Sequence, residues 1–283
     1  MTPTRDRQRA AARAKLEQEM ARRAEAARKR RQLQIGVAAA VAVVLVVAGS
    51  VWLLPKIFGG KKNTAAAPTG PAPCAWTQDP KPSASPSPQP SQPADPRKDV
   101  GVPPTTGEAR AGTRTMHLEV ANQGVIEIEM DAKNAPCTTA SFTYLAGKQF
   151  FDGTKCHRLV TQGFSVLQCG DPSGSGSGGP TYRFGDENLP NGKNPSYERG
   201  MVAMANGGPG TNGSQFFFIA KDISAEVLKP NYTIWGKVTK GMDIIDKIVA
   251  GGDDGAYAQQ AGGGHPKIET LFTKVTVSDV KQP

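Results

Sequence analysis

Residues 200–218, GMVAMANGGPGTNGSQFFF, are the stretch that decides the fold of this chain. The segment MVAMAN at one end and the segment SQFFFIA at the other are short and apolar, which is typical of short β-strands. Between them lies a run of Gly, Asn and Pro, and these residues mark turns and loops. The stretch therefore predicts two short strands joined by a polar loop.

More short strands flank this stretch on both sides. The segment MHLEVANQGVIEIEM (116–130) alternates apolar and polar residues about a Gln-Gly turn, which predicts a β-hairpin. KCHRLV (155–160), FSVLQCG (164–170) and TIWGKVT (233–239) each read as a strand. KIETLFTKVTVSDV (267–280) adds strands towards the C-terminus. Strands this short and this numerous are typical of an all-β domain.

Two segments predict helices. APCTTASFTYLAGKQFF (135–151) places Ala140 and Tyr144 at helical spacing, and Pro136 suits its first turn. GMDIIDKIVAGG (241–252) is a short amphipathic helix that ends in Gly. Many short strands with two helices predict a mainly β, closed sheet.

Positive charge is concentrated at the N-terminus. The 283-residue chain carries a formal charge of +9, and residues 1–34 contain eleven Lys or Arg and four Asp or Glu, a net +7. The other 249 residues therefore carry only +2, and the bulk of the protein does not predict nucleic-acid binding. The tail favours a solvated helix near anionic lipid head groups; a specific partner for it is the alternative.

Residues 35–54, IGVAAAVAVVLVVAGSVWLL, contain no charged side chain. As a helix this run would span roughly 30 Å, the thickness of the bilayer core. The basic residues precede it, and positive charge stays in the cytoplasm. We expect a transmembrane helix with the N-terminus in the cytoplasm and residues 56–283 outside. A signal peptide cleaved near residues 65–67 is the alternative.

Residues 55–111 are rich in Pro, Ser and Ala. Twelve of the 23 prolines lie between Pro68 and Pro104. Such a composition buries too little apolar surface to fold alone and favours extended polyproline II. We expect a disordered spacer that holds a folded domain, residues 112–283, away from the membrane. Recognition of the spacer by a proline-binding module is the alternative.

Four motifs carry a resemblance to a known family. They are CHRLVTQGFSVLQCGD (156–171), GSGSGGPTYRFGDEN (174–188), GMVAMANGGPGTNGSQFFF (200–218) and YTIWGKV (232–238). In this order and spacing they resemble a cyclophilin, and the Cys-His-Arg start and the Leu-Gln-Cys-Gly-Asp end of the first motif resemble the membrane-anchored actinobacterial form. The resemblance implies a closed eight-stranded antiparallel barrel capped by two helices. It also implies peptidyl-prolyl cis–trans isomerase activity with no cofactor.

Isomerisation of an X–Pro bond makes simple chemical demands. Amide resonance sets a barrier of about 18–20 kcal/mol, and no proton or covalent bond has to move. A catalyst needs an apolar slot for the proline ring, a grip on the flanking peptide, and a donor to the nitrogen of the twisted amide. A guanidinium suits the last task because it is always charged and presents several N–H groups in a fixed fork.

The resemblance assigns these tasks to particular residues. Arg158 would be the donor, and Gln168 would lie beside it, orient it and contact a substrate carbonyl. Phe164, Phe217 and Leu228 would line the proline slot. The other substrate-binding residues would be Val166 in the slot, the backbone of Asn206 and the side chain of Gln215 along the groove, Gly207 and Thr211 at a side pocket for residues before proline, and Tyr232 closing the slot.

The sequence departs from the family pattern around this slot. It has one extra residue between Arg158 and Phe164, and one between Phe164 and Gln168. In DISAEVLKPNYTIW, Val227 stands where the family often has Trp, and Tyr232 stands where it has a pocket His. We expect small peptides to be isomerised despite these differences, whereas cyclosporin sensitivity stays open.

The chain has four cysteines, Cys74, Cys137, Cys156 and Cys169. An even number outside the membrane predicts one or two disulfides, since disulfides persist there. Three complete pairings are possible, and the sequence does not choose among them. A bond from Cys74 would fasten the spacer to the folded domain. A reactive redox pair is the alternative.

Two further chemistries are not expected. His157 adjoins Arg158 on a strand, so its side chain points to the opposite face and is read as structural rather than as a base. A zinc site would need about four ligands at characteristic spacing, and the cysteines form no Cys-x-x-Cys motif. We therefore expect neither acid–base catalysis by His157 nor a metal site.

Together these features predict a membrane-tethered prolyl isomerase that acts on proline-containing polypeptides. It would lie in the plasma membrane as a single-pass protein, contact lipid through residues 35–54, assist the folding of exported proteins and work as a monomer. The alternative is a module that binds proline peptides, or a chaperone-like scaffold, with weak turnover.

Overall fold

The structure is a computed structural model that describes residues 73–79, 95–192 and 195–281. The predicted basic tail (1–34) and transmembrane helix (35–54) lie outside the described residues, as does the centre of the Pro-rich segment. Neither helix in the described part of the chain is long and apolar enough to cross a bilayer.

The described residues form short strands and two helices, as the sequence predicts. The strands are β1 (Thr77–Gln78), β2 (Thr113–Val120), β3 (Gly124–Asp131), β4 (Arg158–Val160), β5 (Val166–Cys169), β6 (Tyr182–Arg183), β7 (Met201–Met204), β8 (Phe216–Ile219), β9 (Ile234–Lys240) and β10 (Phe272–Val277), and the helices are α1 (Pro136–Gly147) and α2 (Met242–Gly251).

Eight strands form one antiparallel sheet in the order β10-β2-β3-β9-β7-β8-β5-β4, and β1 pairs separately with β6. The predicted strand number, direction and helices are therefore confirmed. The predicted closure is wrong in its detail, because the edge strands β10 and β4 do not pair with each other along a ladder. Residues next to them meet at one isolated bridge, Lys155 with Leu271. The architecture is a half-barrel.

The period-2 pattern of the first hairpin explains the main core. Met116 and Leu118 of β2 are fully buried, as are Ile128 and Met130 of β3, while alternate residues face outward. Helix α1 covers this face and contributes Phe142 and Leu145, among other side chains. Alternation along paired strands thus provides one continuous apolar layer for a helix to cover.

Strand β8 contributes side chains to two separate apolar clusters. Phe216 and Phe218 belong to the main core, where the Phe216 ring stands edge-on to Phe142 with centroids 5.6 Å apart. Phe217 and Ile219 belong to a second cluster. Successive side chains of a strand point to opposite faces of the sheet, so this run of four apolar residues builds both the core and a second apolar surface.

Parts of the predicted spacer pack on the folded domain. Cys74 is bonded to Cys137 of α1. The Trp76 ring lies edge-on to Tyr182 and Phe184, with centroids 5.7 and 5.5 Å apart. The prediction of a disordered linker across all of residues 55–111 is therefore wrong for residues 73–79, which the disulfide, the ring contacts and the pairing of β1 with β6 hold on the domain. It is also wrong for residues 95–111, where the Lys98 N–H donates to the Gly179 carbonyl oxygen and the Val100 carbonyl oxygen accepts from the Tyr144 hydroxyl.

Candidate active site

Arg158 and Gln168 face each other across strands β4 and β5. The Arg158 Nη1 donates to Gln168 Oε1 at 3.1 Å, and Gln168 Nε2 donates to Gln215 Oε1 at 2.9 Å. Gln215 Nε2 in turn donates to the carbonyl oxygens of Gly176 and Gly178, at 3.0 and 2.9 Å. This row of hydrogen bonds fixes which end of each amide faces its neighbour, and it orients the guanidinium.

A second set of contacts holds Arg158 from the other side. Its Nε donates to the Gly262 carbonyl oxygen at 3.0 Å, and its Nη2 donates to the Ala261 carbonyl oxygen. Partial burial lowers the pKa of Arg158 from its ordinary value. The guanidinium remains charged near neutral pH because an arginine does not lose its proton in proteins.

Arg158 and Gln168 lie at the wall of a cavity of about 360 Å³ whose other walls are largely apolar. Phe217 and Tyr232 meet edge-on in it, with ring centroids 5.5 Å apart. An apolar recess with one cation is the arrangement that the isomerisation chemistry demands. Eight predicted site residues line this cavity, namely Arg158, Phe164, Val166, Gln168, Asn206, Phe217, Leu228 and Tyr232.

The three remaining predicted site residues, Gly207, Thr211 and Gln215, line a neighbouring cavity of about 270 Å³. The two cavities share Gln168, Ala205 and Asn206 as lining residues. The Thr211 hydroxyl accepts a hydrogen bond from the Gly207 N–H at 2.9 Å, which fixes the loop between them. Their grouping is observed, whereas the role of each residue remains a prediction.

The departures from the family pattern have visible structural consequences. Val227 is 52% exposed and lines neither cavity, and Leu228 supplies the apolar contact instead. Tyr232 is fixed through its backbone, since its N–H donates to the Tyr197 hydroxyl at 3.1 Å. That hydroxyl donates to the Lys229 carbonyl oxygen, also at 3.1 Å, and burial raises the pKa of Tyr197 to about 12.

His157 is 4% exposed and lines neither cavity. Within the described residues, neither ring nitrogen of His157 has a hydrogen-bond partner. Burial lowers the pKa of this imidazole, because a charged ring would be poorly solvated there. The neutral ring is therefore the form that the fold favours.

The four cysteines form two disulfides, Cys74–Cys137 and Cys156–Cys169. The second bond joins β5 to the residue that lies two positions before Arg158. The structure thus selects one of the three pairings that the sequence leaves open. In residues 73–79, 95–192 and 195–281 there is no cluster of three or more His, Cys, Asp or Glu arranged to hold a metal ion.

Sequence reasoning missed four residues near the site. Ala205 lines both cavities, Ala261 lines the larger one, Gly262 holds Arg158, and Tyr197 holds Tyr232. The glycine-rich stretch after α2, DDGAYAQQAGGGH, indicates a loop, but nothing in its pattern indicates order or contact with Arg158.

The half-barrel and its cleft define a class of protein: one that presents a fixed guanidinium against an apolar recess suited to a proline ring. Residues 115–270 match the family model described as "Cyclophilin type peptidyl-prolyl cis-trans isomerase/CLD". This chain belongs to the cyclophilin family of peptidyl-prolyl cis–trans isomerases.

Known proteins similar to this chain agree with that membership. "Probable peptidyl-prolyl cis-trans isomerase B" of Mycobacterium leprae is 43% identical over 175 residues, which cover 56% of this chain and 58% of the relative. The protein of the same name from Mycobacterium tuberculosis is 41% identical over 187 residues, 61% of this chain and 58% of the relative. The chain thus spans about 58% of the length of these relatives.

A crystal structure shows the same fold. It is that of a cyclophilin type peptidyl-prolyl cis-trans isomerase from Cryptosporidium parvum, with 26% sequence identity and a TM-score of 0.50. The match covers 60% of this chain and 99% of that one. The matched portion therefore corresponds to a whole cyclophilin domain.

Proposed function

We propose that this chain catalyses cis–trans isomerisation of X–Pro bonds in polypeptides. The observation that carries the proposal is the placement of the Arg158 guanidinium at the wall of the cavity lined by Phe164, Phe217, Leu228 and Tyr232. Family membership supports it as well.

The chemistry follows from the placement of the donor. When the X–Pro amide twists, resonance is lost and the proline nitrogen regains a lone pair that can accept a hydrogen bond. An N–H of Arg158 would donate to that nitrogen only in the twisted state. An interaction stronger in the transition state than in the ground state lowers the barrier. Gln168 keeps the fork oriented so that little reorganisation is needed during rotation.

The two cavities suggest how a peptide would lie. The proline ring would occupy the larger, apolar cavity, and the residues before proline would extend past Asn206 into the smaller one. The smaller cavity is lined by Gly207, Thr211 and Gln215. A grip on residues before proline would hold one side of the bond while the other side rotates.

The direct test is a protease-coupled assay on an Ala-Pro peptide, in which only the trans form is cleaved. We expect the slow phase to accelerate in proportion to the concentration of the full chain. Phe217→Ala should raise KM, because it removes a wall of the cavity. A slow phase unchanged from the uncatalysed rate at every protein concentration would reject the proposal.

A pH series gives a second prediction, which concerns His157. We expect kcat/KM to stay flat between about pH 6 and 9, because no proton moves in the reaction and Arg158 stays charged. The free energy of unfolding should fall below pH 6.5, the ordinary imidazole value, since the unfolded chain then binds a proton that the folded His157 does not.

His157→Leu is the matched variant for this series. It should remove the part of the acid-dependent loss of stability that comes from His157, as followed by urea unfolding at each pH. If kcat/KM depended on pH in the wild type and this dependence were absent in His157→Leu, the imidazole would take part in the reaction.

A second function, binding of proline peptides with weak turnover, is favoured by one observation. The carbonyl oxygens of Ala261 and Gly262 already accept hydrogen bonds from Arg158. These bonds use two of the guanidinium N–H groups that could otherwise donate to the substrate. The two functions are separated by measuring peptide binding and turnover on the same samples. Tight binding with a turnover near background would favour this second function.

We further propose that the chain works at the outer face of the plasma membrane, on exported proteins, anchored through residues 35–54. The uncharged run of those 20 residues supports an anchor. The two disulfides support an oxidising compartment. Recovery of the full chain in a carbonate-washed membrane fraction, and its loss from that fraction when residues 35–54 are deleted, would test the anchor.

A further inference from the structure

We infer that Asp254, Tyr257 and His265 form a positioning network that holds the loop carbonyls of Ala261 and Gly262 against Arg158. The inference rests on the proposed function, in which Arg158 is the donor. None of the three network residues lines the cavity that contains Arg158. They would act on catalysis only through the loop that they fold.

The first step in the network is the carboxylate of Asp254. Its Oδ1 accepts hydrogen bonds from the backbone N–H groups of Ala256 and His265, at 3.0 and 2.7 Å. Its Oδ2 lies 2.9 Å from His265 Nδ1. These bonds tie the start of the loop to its end, and together they lower the pKa of Asp254 to about 2.

The second step joins His265 to the middle of the loop. His265 Nε2 lies 2.8 Å from the Tyr257 hydroxyl. The Tyr257 backbone closes the loop on itself, because its N–H donates to the Gly263 carbonyl oxygen and its carbonyl accepts from the Gly262 N–H, both at 2.9 Å. The position of the Gly262 carbonyl is therefore coupled to the side chains of Tyr257 and His265.

The third step fastens the loop beside β4. The Leu159 N–H donates to the Gly264 carbonyl oxygen at 2.8 Å, and the Gly264 N–H donates to the Leu159 carbonyl oxygen at 3.0 Å. Gly263 has φ +72°, and a Cβ there would overlap the Leu159 carbonyl oxygen. Only glycine at position 263 therefore lets the loop approach β4 this closely. The approach is made at Leu159, which directly follows Arg158.

The consequence is a guanidinium with a defined set of free donors. Gln168 takes one N–H of Nη1, Gly262 takes the N–H of Nε, and Ala261 takes one N–H of Nη2. A guanidinium carries five N–H groups in a rigid plane, so among the described residues one N–H on Nη1 and one on Nη2 have no partner and remain for substrate. Three fixed contacts set the plane and the direction in which those two point.

The test is His265→Ala in the full chain, measured on the Ala-Pro peptide. We expect kcat to fall about 10-fold with KM nearly unchanged, because misplacing a catalytic group by a fraction of an ångström weakens only the transition-state contact. Lys267→Ala is the matched control, since Lys267 is exposed and its side chain takes no part in the network. It should leave kcat within twofold of the wild type.

A double-mutant cycle separates positioning from general weakening of the fold. In an Arg158→Lys background the fork is absent, so adding His265→Ala should change kcat by less than twofold. An equal 10-fold loss in both backgrounds would overturn the inference, and so would an unchanged kcat in the single variant. Restoration of most of kcat by His265→Asn, which keeps a donor for Asp254, is also expected.

A readout independent of turnover keeps this inference distinct from the proposed function. In a ¹⁵N NMR spectrum, the Arg158 Nε–H should exchange slowly with water in the wild type, because it is bonded to the Gly262 carbonyl oxygen. It should exchange at least several-fold faster in His265→Ala. If the wild type shows no turnover, the proposed function fails; equal exchange rates in the two proteins reject the positioning network in either case.

Discussion

Arg158→Ala is expected to lower kcat/KM for an Ala-Pro peptide by about 100- to 1000-fold, the usual loss when a preorganised donor to a transition state is removed. That loss corresponds to about 2.7–4 kcal/mol of transition-state stabilisation. The apolar cavity would remain, so binding of the peptide should weaken much less than turnover. The protease-coupled assay measures turnover as kcat and binding of the peptide as KM.

Two further variants locate the origin of this loss. Arg158→Lys keeps a positive charge but loses the planar fork, and we expect it to recover only a small part of the activity. Arg199→Ala removes an arginine that lines neither cavity and pairs with Asp246 on the surface; it should stay within twofold of the wild type. Equal rates for Arg158→Ala and the wild type would show that the cavity alone accelerates rotation.

The largest effect on stability is expected from removing the Cys74–Cys137 disulfide. The bond joins residues 63 apart in sequence, and in the chain-entropy model a loop of that length is worth roughly 4 kcal/mol. We expect Cys74→Ala combined with Cys137→Ala to lower the free energy of unfolding by about 2–4 kcal/mol. Urea unfolding of the oxidised proteins gives this difference.

The second disulfide supplies the control. Cys156 and Cys169 are only 13 apart in sequence, so the same model assigns that bond roughly 3 kcal/mol. The pair Cys156→Ala and Cys169→Ala should therefore cost less stability but more activity, since these residues flank Arg158 and Gln168. If the longer bond proves the weaker one, the folded N-terminal residues 73–79 are held by packing rather than by the disulfide.

The sequence predicted those parts of the fold that are set by the local alternation of apolar and polar residues. The β2–β3 hairpin follows from its period-2 pattern, and the opposition of Arg158 and Gln168 follows from two strands around a Gly-containing turn. The cyclophilin resemblance then placed eleven residues, and all of them line the two adjoining cavities. Short-range patterns and motif order were sufficient there because strand pairing fixes side-chain direction.

The parts that sequence did not predict depend on distant partners. Residues 73–79 look unable to fold by composition, yet a bond to Cys137 and the rings of Tyr182 and Phe184 hold them. The loop that holds Arg158 has no periodicity, because its shape comes from side chain-to-backbone hydrogen bonds at Asp254. Neither a partner 63 residues away nor a carboxylate cap on a loop is visible in local hydrophobic patterning.

The two-sided strand β8 has a practical consequence for protein engineering. Phe216 and Phe218 belong to one compartment, and Phe217 and Ile219 belong to the other. Phe217 lines the larger cavity, whereas Ile219 is fully buried behind it. Redesign of ligand preference can therefore be confined to residue 217 while both neighbours, which build the main core, are left intact, and libraries varied at residue 217 should yield altered selectivity with few losses of soluble protein.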